Sequence, residues 1–467
     1  MKNKALTAVK NRILNILFWS IISAAFIGPG TVTTATKAGA DFQFQLLWAL
    51  SFSTIACLVL QEASARATIY SKMNLGQAIK YHFAGSKAQV PVLVMIVGAI
   101  ILGCAAYETG NILGSVEGLS LVFPHLDKRL IVTAIAVIAG LALSLKSLRS
   151  MANFMGSFVF LMGATFITTA VFAKPPAEEI LKGMFVPTLP DTTGAGLLIL
   201  GLIGTTVVPY DLFLGSNVVQ KDTTVKDMRI GISTAVILGG LISMAILSVG
   251  TEMTRGLTRE AINNLQFSYK LLSQTLTLHI GQWAVYIFGF GMFAAGFTSA
   301  ITSPLASALT SRSIFEKKNP DGTPKNANSF QWVAYVVLTV GIVLGYLQIK
   351  PVPAIVAAQA FNGLILPFVS IFLFMVVNDK RVMGREHLNG WFSNVMMIIV
   401  TWVTLVLGIV NVSKAFATIT EMSFAPDQLF AFAGLVALVI TFFITIRIFR
   451  KRKKSLLEPD IEEKKTE

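Results

Sequence analysis

Apolar residues in this chain come in runs of about 20, each long enough to cross a hydrocarbon layer of roughly 30 Å. Short polar stretches separate them. Reading each run as a helix places membrane spans at 13–36, 44–70, 90–115, 129–145, 151–173, 194–220, 229–250, 281–313, 330–348, 352–377, 390–411 and 427–449. No soluble domain fits between them. The longest connections, 251–280 and 314–329, are polar, and the second has turn and linker chemistry.

Two spans are interrupted in the same way. Span one carries Gly28-Pro29-Gly30-Thr31 and span six carries Gly204-Thr205-Thr206-Val207-Val208-Pro209-Tyr210-Asp211. Proline removes a backbone donor and glycine loosens the helix, so both spans should unwind near the bilayer midplane, where free backbone groups need protein or a watery cavity beside them. Breaks five spans apart point to an inverted repeat with a binding site between the broken helices. The expected organisation is an N-terminus at 1–12, a first repeat at 13–173, a second at 194–377, two extra spans at 390–449 and a basic tail at 450–467.

Composition sharpens the class. The 467 residues are 54% hydrophobic and 13% charged, which excludes a soluble enzyme, a disordered scaffold and a secreted disulfide domain. Both cysteines, Cys57 and Cys104, lie in apolar runs and imply no disulfide framework. The formal charge of +14 suggests nucleic acid until the basic residues are placed. Most of them gather in the N-terminus, in alternate loops and in the C-terminal run from Arg447 to Lys454, the bias that orients membrane proteins with basic loops inside. That pattern accounts for the charge through the lipid bilayer alone, with both termini cytoplasmic and no nucleic-acid partner. The start MKNKALTAVKNR looks like a secretory signal, but the apolar pattern runs on through Phe26 into the first break, so an uncleaved span is expected.

The breaks, together with Ala38-Gly39-Ala40, Leu46-Leu47-Trp48, Ser64-Ala65-Arg66, Leu366-Pro367-Phe368 and Met383-Gly384 in that order, resemble the NRAMP (natural resistance-associated macrophage protein) family of proton-coupled divalent metal transporters. The resemblance covers most of the chain. It implies an all-α polytopic LeuT-type fold, a 5+5 inverted repeat with broken helices one and six and about twelve transmembrane helices. The family's breaks read Asp-Pro-Gly-Asn and Met-Pro-His, and that Asp, Asn and Met hold the metal with backbone carbonyls. Here the Asp falls on Gly28, the Asn on Thr31, the Met on Val208 and the His on Tyr210. A thioether selects transition metals and a carboxylate offsets dehydration of a divalent ion, so their loss removes the chemistry for manganese or iron. Of the family's acidic pair in span three, Glu108 is kept and the second member falls on Asn111, while span nine has no Lys or Arg. Proton coupling by the family's route is not expected.

The candidate substrate residues are therefore Gly28, Pro29, Gly30, Thr31, Thr205, Thr206, Val208, Pro209, Tyr210, Asp211 and Gln359. Amides opening the second half-helices, with hydroxyls at Thr31, Thr33, Thr34, Thr205, Thr206 and Tyr210, suit the oxygens of a small anion. Lys37 either draws anions into a vestibule or snorkels at the interface. Asp211 cuts the other way. It is either the cap of the second half-helix or a relocated cation ligand, and in the latter case hydrated magnesium fits better. Glu108 is either a coupling group or a buried acid. Thr298, Ser299 and Thr302 place hydroxyls where LeuT-type transporters hold sodium, although such hydroxyls also bond their own helix. No metal, cofactor, nucleotide or catalytic constellation stands out, so no enzyme is expected.

The expectation is a secondary transporter in a bacterial cytoplasmic membrane, coupled to sodium or protons, for a small inorganic anion such as bicarbonate. A magnesium-like divalent cation is the alternative, and a non-transporting sensor or scaffold the second.

Overall fold

The computed structural model describes residues 27–144, 149–190, 194–217, 219, 223–258, 261–262, 267–316, 330–420 and 426–457. The N-terminal segment, the first half of span one, most of the 314–329 connection and the tail beyond 457 lie outside the described residues. The elements are α1 (Pro29–Phe42), a 3-10 turn (Gln43–Leu46), α2 (Leu47–Ser71), α3 (Leu75–His82), α4 (Gln89–Val122), α5 (Lys128–Ser144), α6 (Arg149–Phe172), α7 (Ala177–Phe185), α8 (Ala195–Thr206), α9 (Pro209–Asn217), α10 (Val225–Met253), α11 (Tyr269–Ile280), α12 (Trp283–Phe315), α13 (Gln331–Tyr346), α14 (Pro351–Val376), α15 (Lys380–Met383), α16 (Trp391–Thr420) and α17 (Pro426–Leu457). No strand occurs among the described residues.

Eight stretches among them are long and apolar enough to cross a membrane, one being the continuous Pro29–Ser71. That stretch contains the end of the first expected span and all of the second, hinged where Gln43 takes a left-handed φ of 53°. The spans expected at 129–145 and 330–348 are helices of 17 and 16 residues, the first as long as expected and the second three residues shorter. The 251–280 connection departs from its reading as a polar loop, because α11 occupies its second half with the Ser268 hydroxyl capping its N-terminus. A second amphipathic connector, α7, lies between α6 and α8. In both, polar and apolar residues are interleaved, so overall polarity hides the helix.

The long helices cross through small residues, which let backbones approach in the absence of a strong hydrophobic drive between helices in lipid. A Cβ on Gly118 would come within 2.6 Å of the Gly289 carbonyl, and one on Gly39 within 2.0 Å of the Leu247 carbonyl, so α4 meets α12 and α1 meets α10 at backbone distance. The outward faces carry large apolar side chains such as Phe160, Leu238 and Phe443, as a lipid-facing surface requires.

Candidate functional site

The second interruption lies wholly within the described residues, and of the first the described residues hold the side from Ile27 onward. Gly28 precedes α1 in extended conformation (φ −136°, ψ −174°) with Pro29 in the first turn, where the missing N–H costs nothing. The Gly28 carbonyl accepts from Val32 N–H at 3.1 Å. In the second break α8 stops at Thr206, the Val207 amide closes back on Ile203 O at 2.8 Å, and the chain leaves the helix through Val207 (φ −103°, ψ 85°) and Val208 before α9 starts at Pro209.

The interruptions lie side by side at the centre of the bundle. Thr31 and Thr205 are fully buried and their hydroxyls meet at 2.9 Å, which joins the residue after the first break to the residue before the second. Gln359 of α14 closes the third side. A Cβ on Gly30 would stand 2.1 Å from Gln359 Nε2, and one on Gly204 would stand 2.0 Å from Gln359 O, so glycine at both positions makes room for α14. Gln359 Oε1 is buried with no hydrogen-bond partner among the described residues. Such an orphan acceptor inside a protein is costly unless a ligand or water satisfies it.

The other candidates divide. Ser299 reaches the first break, its Oγ 3.7 Å from where a Gly28 Cβ would be, whereas Thr298 and Thr302 donate to the Ala294 and Thr298 carbonyls of their own helix at 2.5 and 3.2 Å. Thr206 likewise donates to Leu202 O at 2.9 Å. Tyr210 packs edge-on against Tyr107 with centroids 5.3 Å apart. Glu108 is fully buried, takes a hydrogen bond from Asn111 Nδ2 at 3.3 Å and lies against Gly341 of α13, on a different side of α4 from Gly114, which touches Pro29. Lys37 is half-buried and ion-paired with Asp41 at 2.8 Å.

Asp211 sits in the first turn of α9, 5% exposed. Its amide donates to Val208 O at 3.1 Å, yet among the described residues no N–H or O–H donates to its carboxylate. Instead it lines a small cleft between α9 and α2, with room for about one water-sized group, shared with Gln61, Ser64 and Ser216. Among the described residues no three His, Cys, Asp or Glu side chains gather as a metal cage.

Sequence reasoning missed two features. One is Gln61 as a neighbour of Asp211, which nothing local signals. The other is Tyr269, whose hydroxyl bonds Thr33 at 2.8 Å above the first break. Its only trace in the sequence is the Ser268 cap that starts its helix.

Comparison with known proteins bears on the family and the fold. Residues 20–414 match the family model described as natural resistance-associated macrophage protein-like. Among curated relatives, the divalent metal cation transporter MntH of Staphylococcus saprophyticus subsp. saprophyticus is 25% identical over 420 residues, covering 86% of this chain and 91% of the relative. The protein of the same name from Bacillus subtilis is 25% identical over 401 residues, covering 83% and 88%. Among solved structures, the manganese transporter of Eremococcus coleocola superposes with a TM-score of 0.69 at 16% identity, covering 95% of this chain and 96% of that one. An inward-facing Mhp1 superposes with a TM-score of 0.52 at 15% identity, covering 95% of each chain. The chain is thus an integral membrane protein with the LeuT-type transporter fold, and it belongs to the natural resistance-associated macrophage protein-like family.

Proposed function

We propose that this protein is a secondary transporter that moves a small inorganic ion by alternating access, and that the ion is a divalent cation of magnesium-like character. The observation that carries this reading is the Asp211 carboxylate, buried two residues past Pro209 with no donor among the described residues. A buried, unpaired carboxylate is expensive, and a cation is the partner that makes it favourable. The capping role would have turned the same side chain onto the α9 amides.

The names of the curated relatives, divalent metal cation transporters, support a cation as cargo. The residues argue about which one. Gly28, Thr31 and Val208 replace the carboxylate, amide and thioether of the family pattern, which leaves oxygen donors only: Asp211, Gln359 Oε1, the threonine hydroxyls and backbone carbonyls. Hard oxygen ligands with a single charge suit magnesium retaining part of its water shell better than manganese or iron.

A small anion such as bicarbonate is the second reading. The buried Thr31 and Thr205 hydroxyls and the neutral Gly28 favour it. The relatives' names do not, and Asp211 opposes it. The coupling ion in either case is sodium or a proton, and the basic loops assign both termini to the cytoplasmic side of a bacterial membrane.

Proteoliposome uptake of magnesium, manganese and bicarbonate measured in parallel tests the reading. Saturable magnesium uptake that manganese inhibits weakly is expected. Saturable bicarbonate uptake with no divalent flux would replace the first reading with the second.

A further inference from the structure

We infer that the cleft between α2 and α9 is a hard-cation site in its own right, in which Asp211 supplies the charge and Gln61, Ser64 and Ser216 supply neutral oxygens. This inference rests on the divalent-cation reading and says where along the route the ion is held.

The protons of the cleft's hydroxyls are already committed. Ser64 Oγ donates to Leu212 O at 3.0 Å, and Ser216 Oγ donates to Phe213 O at 2.7 Å while accepting from Leu75 N–H at 3.0 Å. What each hydroxyl turns to the cleft is therefore lone-pair density. Asp211 adds a carboxylate with no donor of its own among the described residues. The Gln61 side chain is half-buried and makes no hydrogen bond among the described residues, so its carbonyl oxygen is free to turn inward. A cleft rich in acceptors and poor in donors repels an anion and suits a cation.

The neighbouring carboxylate shows the contrast. Glu62, next to Gln61, is held by Arg66 at 3.0 Å and Arg229 at 2.7 Å. Its charge is spent on tying α2 to α10. Asp211 has no such basic partner among the described residues, although it is the more deeply buried of the two. One carboxylate and three neutral oxygens, with no sulfur, match a hard cation such as magnesium held directly by protein oxygens. The cleft runs along α9 to Ser216, beside Asn217, which Asn74 of the α2–α3 turn bonds at 3.0 Å.

Calorimetric titration of magnesium chloride into the purified full-length protein in lipid nanodiscs tests this. Asp211→Asn should weaken magnesium binding by about tenfold or more, and Gln61→Glu, which adds a second carboxylate to the set, should strengthen it roughly tenfold. The gain expected of Gln61→Glu keeps the test decisive if Asp211→Asn folds poorly. Wild-type affinity in both variants overturns the site. Magnesium uptake by wild-type proteoliposomes with binding unmoved by either substitution removes the cleft and leaves the transport reading standing. Magnesium bound as expected without any divalent uptake does the reverse.

Discussion

Tyr269 and Thr33, 236 positions apart in sequence, meet hydroxyl to hydroxyl at 2.8 Å. Thr33 gives its own proton to Pro29 O at 2.6 Å, so Tyr269 is the donor in the pair. The connector helix α11 is in this way hydrogen-bonded, through one threonine, to Pro29 at the start of α1. An α11 seated there would act as a lid over one approach to the site.

Tyr269→Phe keeps the ring and removes the donor. The net loss is about 1 kcal/mol, roughly a fivefold shift towards the open lid. With Cys57 and Cys104 replaced and Thr34→Cys introduced as a reporter, labelling by an impermeant thiol reagent should quicken about fivefold. An unchanged rate would mean that the lid is held by packing alone.

Glycine spacing sets the approach of α8 to α14. Because a Cβ at Gly204 would stand 2.0 Å from the backbone carbonyl of Gln359, Gly204→Ala must push the helices apart. Overpacking of this kind costs about 1–3 kcal/mol. Thermal unfolding in detergent should show a lowered midpoint for Gly204→Ala and none for Gly98→Ala, where nothing lies within 4 Å.

Lys37 is committed to Asp41 at 2.8 Å on a half-exposed turn of α1. Exposed pairs of this kind contribute about 0–1 kcal/mol. Lys37→Gln should change uptake rates by less than about threefold at any salt concentration. A larger, salt-sensitive loss would show that the lysine steers the ion.

Beyond the span end of α14, Asp379 is held by the His82 ring and by Arg381, both at 2.7 Å. Burial alone would raise its carboxyl, but these partners outweigh it and keep the group well below the usual carboxylate range. A depressed acid stabilises the fold above its unfolded value, near 4, and loses that contribution as pH falls through the folded value. Asp379→Asn should therefore unfold at a lower temperature than the wild type at neutral pH, with the gap shrinking below about pH 4. A gap independent of pH would remove the charge from the account.

The breaks were legible because proline and glycine act locally: Pro29 and Pro209 each open a half-helix whatever surrounds them. The family pattern was legible for the same reason, as a string of short motifs. Orientation was not. The side on which Asp211 faces depends on α2, about 150 positions earlier in the chain, and no residue near Asp211 encodes Gln61 or Ser64. The hinge at Gln43 was equally hidden, since a left-handed glutamine lacks the glycine that marks such turns. The polarity of α11 concealed a helix because its buried face is made of Tyr269, Leu272, Ser273 and Leu276, a stripe too mixed to read as apolar.

Charge displacement by reconstituted vesicles on a solid-supported membrane gives the most direct test of a cation-carrying site. Concentration jumps of magnesium should drive positive charge inward with saturation, a response lost in Asp211→Asn, and jumps of bicarbonate should drive none. A saturable bicarbonate signal, or a magnesium signal that survives Asp211→Asn intact, would contradict it.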